Sequence, residues 1–182
     1  MTSEQIESLF DLMMATSRQK RENIRSLYLD SIGPDIIPYC SRYFDTAKVA
    51  DRRASLVQFV IRYSRVSDAA VELGLKALKD RSKQVRRMAC GVLAYSLNEA
   101  NLPALQAFLN HRCPETSQHA MRAIDAIATK DHNRFTAPDY DAWVVSRDRQ
   151  GPPKHEEIDL YVRRFSPELI KPIEAILGSI YP

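Results

Sequence analysis

Glycine is scarce in this 182-residue chain: there are five, Gly33, Gly74, Gly91, Gly151 and Gly178, each isolated. Neither GxxxxGKS/T nor GxGxxG can be written from them, so there is no loop to cradle phosphates; nucleotide hydrolysis is disfavoured and no cofactor is expected. Cysteine is also sparse. Cys40, Cys90 and Cys113 are odd in number and have no CxxC spacing, which indicates neither a disulfide framework nor a common zinc module, so reduced thiols are expected. No apolar run approaches the ~20 residues that a membrane span requires. The opening "MTSEQIESLFDLMMATS" sets Glu4, Glu7 and Asp11 among its apolar residues and has no basic start. It does not read as a secretory leader, and a cytoplasmic location is expected.

What is present is an ordinary globular composition, 45% hydrophobic and 27% charged. The length suits one domain with a sizeable core or a short array of repeats. Net charge is +3, unevenly distributed: residues 1–17 carry three acids and no bases, residues 18–134 carry 20 bases against 12 acids, and residues 135–182 carry six bases against eight acids. A central basic excess of this size attracts nucleic acid or an acidic protein, and is also common on solvated helical surfaces.

No segment sustains strand-like alternation, whereas helical spacing recurs. Ile6, Leu9, Phe10, Met13 and Met14 predict an amphipathic first helix with Ser3 as its N-cap. A second helix is predicted over about residues 18–32, ending where Gly33 and Pro34 punctuate, and a third from Ile36 to Phe44. Beyond Asp45 the helices resemble one another. "KDRSKQVRRMACGVL" lies over "NHRCPETSQHAMRAI" at an offset of 31, matching Arg81 with Arg112, Ala89 with Ala120 and Leu93 with Ile124. The preceding helices share that offset, with Val71 over Leu102 and Leu78 over Leu109. An upstream unit fits more loosely at 35, with Asp45 in the place of Asp80 and Ala54 in the place of Ala89. Each unit is a helix pair that cannot bury its apolar side alone, so stacking must build the core.

The pattern Asp80, Val85, Arg86, Ala89 and Leu93, followed by Leu102, Pro103, Leu105 and Leu109, resembles short HEAT repeats of the phycobilisome-lyase-like type over about residues 45–130. The resemblance implies an all-α protein, an α-solenoid of short helix pairs with irregular helical flanks. We expect one domain, with N-terminal helices over 1–44, repeats over 45–134, and a C-terminal linker and helices over 135–182. In the last part Ser166 and Pro167 read as N-cap and first helical residue, and Pro172 as a kink or restart.

Catalytic constellations are thin. His111, Cys113 and His119 offer at most three zinc ligands in no familiar spacing, and a thiol nucleophile would also need an electropositive, partly exposed niche. Metal binding and catalysis are therefore not expected. The resemblance implies instead a non-catalytic protein-binding module: an adaptor, or an inhibitor such as an immunity protein that occludes a toxin's active site. The alternative is a nucleic-acid binder related to HEAT-like DNA-alkylation glycosylases, whose sites use tryptophans with an acid and arginines. Trp143, the single tryptophan, falls outside the repeated region. Arg52, Arg53, Arg62, Arg65, Lys83, Arg87 and Trp143 are the candidate partner-binding residues, for an acidic protein or, second, for nucleic acid.

The pair Arg86–Arg87 divides on a helical wheel. With Val85 at zero, Ala89, Val92 and Leu93 define an apolar side centred near ~20°, Arg86 borders it near ~100°, and Arg87 points away near ~200°. Arg86 is thus expected to be architectural, with Asp80 as its partner, and Arg87 to be available to a ligand.

Overall fold

The computed structural model describes residues 1–135 and 167–178. Among them every regular element is helical, as the sparse glycine and the 3.6-residue periodicity require. They divide into two compact units, one within Met1–Tyr39 and Gln150–Pro182, the other within Cys40–Arg149.

In the first unit, α1 (Ser3–Ala15) buries Ile6, Leu9, Phe10 and Met13, four of the five residues that predicted it. Its N-cap is Thr2, one residue earlier than expected, because Thr2 and Gln5 form a capping box. The Gln5 amide donates to Thr2 Oγ1 at 3.2 Å, and the Thr2 amide donates to Gln5 Oε1 at 2.8 Å. The second predicted helix is not uniform. α2 (Arg18–Ile24) widens into a π-helical turn over Arg25–Leu29 and then tightens into 3-10 turns over Asp30–Ile36, where Gly33 adopts φ 72°. Arg25 accompanies the change of pitch. Only 3% exposed, it reaches Asp30 at 2.8 Å and Glu22 at 3.2 Å, linking carboxylates on either side of the wide turn. α3 (Ile37–Thr46) follows and belongs to the second unit from Cys40 onward. From the C-terminal segment, a 3-10 turn at Pro167–Leu169 leads into α9 (Ile170–Leu177), which packs on α1 and buries Ile173. Pro172 sits in the first turn of α9, where its missing N–H would have had no intrahelical acceptor, so the α-helix starts just before the proline.

The second unit is an α-solenoid. Its inner helices are α4 (Ala50–Val60), α6 (Lys83–Ser96) and α8 (Pro114–Thr129), which pack in succession; α5 (Asp68–Ala77) covers α6, and α7 (Leu102–Gln106) covers α8. α6 is the centre of this stack. From Val85 to Ala94 every residue except Arg87 is buried, and Val85, Ala89, Val92 and Leu93 are fully so. A helix enclosed on nearly all sides needs small residues where neighbours come close. At Gly74 of α5 an added Cβ would stand 2.7 Å from Val92 Cγ1, and at Gly91 it would stand 3.2 Å from Phe135 Cε1.

The inner helices begin at Ala50, Lys83 and Pro114, so successive units are displaced by 33 and then 31 residues. The second displacement is the one the sequence predicts; the first differs from the expected 35, and equates Arg53 rather than Asp51 with Arg86. Leu109 also differs from Leu78, its counterpart. Leu78 is 2% exposed and Leu109 38%, because α7 ends at Gln106 and leaves Leu109 in the following turn. At the other end of the repeat, α6 and α8 both close on left-handed residues, Leu97 and Lys130, and Lys130 Nζ bridges back to Leu97 O at 3.3 Å and to Glu99 at 2.5 Å.

Candidate partner-binding surface

The fourth residue of each inner helix determines which cations are left for function. Arg53 of α4 donates backwards to the carbonyls of Ala47 at 2.9 Å and Lys48 at 3.0 Å, and forwards to both carboxylate oxygens of Asp80, at 2.7 and 3.1 Å. One unit further on, Arg86 of α6 repeats the arrangement. Its Nη1 donates to Asp80 O at 2.8 Å and its Nε to Thr116 Oγ1 of α8 at 3.0 Å. In α8 the equivalent residue is Ser117, whose hydroxyl donates to Leu109 O. A serine cannot reach forward to another unit, so this line of bridges ends in α8.

Two expectations change here. Asp80 is a partner of Arg86, as expected, but through its backbone carbonyl; its carboxylate belongs to Arg53. Arg53, expected at a partner interface, is 7% exposed and engaged within the stack, so it is architectural. Burial alone would raise the Asp80 acid, but hydrogen bonds from Arg53 and from the Ser82 amide, with the charges of Arg53 and Arg81, outweigh it and hold Asp80 below its ordinary pKa of 3.8.

Other expected residues brace the surface. Lys83, at the start of α6, pairs with Glu115 of α8 at 2.7 Å, both more than half exposed. That hydrogen bond raises the lysine and lowers the carboxylate. Exposed Arg65 lies 4.7 Å over the Tyr95 ring, donates from Nε to Tyr95 O at 2.9 Å, and meets His132 Nδ1 at 2.9 Å; Tyr95 and His132 pack edge to face at 4.6 Å. Arg65 thus ties the loop after α4 to the end of α6 and to the 3-10 turn His132–Arg134 beyond α8. Arg52 and Arg62 are half-buried on and just after α4. Trp143 lies outside the described residues.

Arg87 is the exposed residue of the otherwise buried Val85–Ala94 stretch, on the side of α6 that the helical wheel assigns it. Across from it, α8 presents His119 and Arg122. The half-buried His119 is held below the ordinary imidazole pKa, first by burial and then by the charges of Arg87 and Arg122, with the Glu115 charge and carbonyl opposing. His119 is therefore mainly neutral at pH 7, under the charge of both arginines, and the Phe135 ring stands 6.2 Å from its own. Two cations, a neutral imidazole and an aromatic ring are thus carried on α6, α8 and the segment just after α8. Arg122 and Phe135 were not among the expected site residues. The signal for Arg122 was in the periodicity, since Ala120, Ala123 and Ile127 face the core and turn it outwards.

The His111–Cys113–His119 group does not converge. His111 Nδ1 accepts the Cys113 backbone N–H at 3.0 Å, and the Cys113 thiol donates to Glu115 Oε2 at 3.2 Å. Hydrogen bonds from Thr116 hold the Cys113 thiol below its usual range, while burial pushes Cys90 up to about 12. Among the described residues no group of three His, Cys, Asp or Glu is placed to hold a metal ion, and no helix is long and apolar enough to cross a membrane.

The family model of HEAT repeats matches residues 71–135, from within α5 to the residue after the 3-10 turn at His132–Arg134. No curated protein and no solved structure matches the chain. HEAT repeats are commonly protein-interaction modules and typically non-catalytic. With helix pairs stacked about α6, arginine bridges running from unit to unit and this match over residues 71–135, the chain carries a HEAT-like helical repeat.

Proposed function

We propose that this chain is a non-catalytic, cytoplasmic protein-binding module, an adaptor or an immunity-type inhibitor, that holds an acidic surface of another protein against α6 and α8. The observation that carries this reading is the one exposed cation on the otherwise buried stretch of α6, Arg87, whose charge acts on the same α8 histidine, His119, as that of Arg122. Such cations are carried on packed helices, so a partner's carboxylates meet a preformed backbone, and complementary charge raises the rate of encounter. Phe135 adds an aromatic element of the kind on which interface energy concentrates.

The partner is to be identified by isolating the tagged chain from its own cells, and its affinity then measured with purified components. Arg87→Glu with Arg122→Glu should weaken that affinity by more than about tenfold while leaving the urea melt unchanged, since two attractive contacts become repulsive. An unchanged affinity contradicts the assignment of this surface. The basic excess of residues 18–134 favours nucleic acid as the second reading. Duplex DNA binding that outcompetes the protein partner and falls steeply with salt would establish it in place of the first.

A further inference from the structure

A second place in the repeat unit is built to receive negative charge. An open depression of about 740 Å³ lies where the loop before α4 meets the loop before α6, lined by residues 44–48, Arg53, Asp80 and Arg81. Its carboxylates are already matched: Asp80 is held by Arg53 at 2.7 Å, and Asp45 pairs with Lys76 of α5. Lys48 and Arg81 are different. Both are exposed, both line the depression, and among the described residues neither makes a direct ion pair, although the Arg81 charge acts on Asp80. The wall supplies apolar surface from Phe44 and Ala47, and the floor is fixed by Arg53, which is tied to the carbonyls of Ala47 and Lys48 and to Asp80.

We infer that this depression is a docking subsite for a glutamate- or aspartate-bearing segment of the protein partner, with Lys48 and Arg81 as its two cations. The inference rests on the reading of the chain as a protein-binding module, and places on it a contact separate from Arg87 and Arg122. Discrete carboxylates fit better than a phosphate backbone. Asp45 and Asp80 nearby oppose any anion alike, but only a carboxylate side chain also brings methylenes to the apolar wall. The methylenes of such side chains would lie against Phe44 and Ala47. Because Lys48 and Arg81 come from equivalent loops of successive units, the segment would cross from one repeat to the next.

The test is an amide NMR titration of the ¹⁵N-labelled full chain with a hexaglutamate peptide, and in a parallel arm with inorganic phosphate at matched ionic strength. Hexaglutamate should shift the amides of 45–48 and 80–83. Lys48→Gln with Arg81→Gln should weaken it roughly fivefold, the sum of two exposed ion pairs, with no change in the thermal melt. If those amides stay still, or the double variant binds like the parent, the subsite is wrong; phosphate binding there more tightly than hexaglutamate also overturns it. Arg87→Gln with Arg122→Gln separates the two ideas. Loss of hexaglutamate binding in that variant alone rejects the depression and keeps the α6–α8 surface, whereas a peptide that shifts no amide rejects both.

Discussion

Replacing Arg53 by methionine should destabilise the protein by about 3 kcal/mol, far more than an arginine on an ordinary helical surface. The side chains of Arg53 and Asp80 are 9% and 10% exposed, so methionine leaves a nearly buried carboxylate with one remaining hydrogen bond, from the Ser82 amide at 2.8 Å. The carbonyls of Ala47 and Lys48 lose their donor as well. Removing one partner of a buried ion pair costs about 3–5 kcal/mol; the lower end applies because Asp80 stands in a loop that water can reach once it relaxes. Urea melts followed at 222 nm measure the loss, and Arg53→Lys should fall between methionine and the parent, keeping charge but losing the two-pronged contact. The pH dependence has a fixed sign. With Asp80 lowered in the folded state, its contribution is complete above its unfolded pKa, near 3.8, and is lost as pH falls through the lower folded value. The gap between parent and Asp80→Asn should therefore be constant above about pH 5 and close progressively below it. A methionine variant within about 0.5 kcal/mol of the parent at pH 7 would refute the bridge as a source of stability.

The two adjacent arginines of α6 should behave oppositely in the same melts: Arg86→Met, which strips donors from Thr116 Oγ1 and Asp80 O, should cost about 1–3 kcal/mol, and Arg87→Ala close to nothing. A reversed order would undo their assignment. At Gly74 an alanine methyl would meet Val92 Cγ1 at 2.7 Å, and a β-branched side chain has little freedom to step aside, so Gly74→Ala should lose about 1 kcal/mol despite alanine's better helix propensity; a stabilised variant would show that α5 and α6 are not so closely apposed. Iodoacetamide at pH 7.5 should modify Cys113 alone in the native protein, and Cys40 and Cys90 only in denaturant, with the count read by mass spectrometry. More than one native modification would contradict their burial.

Much of this architecture is legible in the sequence where it depends on local period. The buried set of α1, the enclosed side of α6 and the outward direction of Arg87 all follow from residues three and four apart. The displacement of 31 between the second and third units is legible because Arg81 and Arg112, and Ala89 and Ala120, keep their spacing. Other features depend on contacts between distant segments. Nothing local distinguishes Arg53 from Arg52, since arginines are ordinarily exposed, yet Asp80, 27 residues on, draws Arg53 inside. That contact also fixes the first displacement at 33, which matching aspartates and alanines by eye misplaces by two. The π turn after α2 is spanned by Arg25, which bridges Glu22 and Asp30, and Phe135 comes close to the bare backbone at Gly91.

Photo-crosslinking in cells reports most directly on which surface is used. A benzophenone amino acid in place of Arg87 on α6 should yield a discrete adduct with one acidic protein, and the same group in place of exposed Glu72, on the outer helix α5, should not. Equal adducts from both positions, or adducts with nucleic acid from Arg87, would contradict the assignment of α6 and α8 as a protein-binding surface.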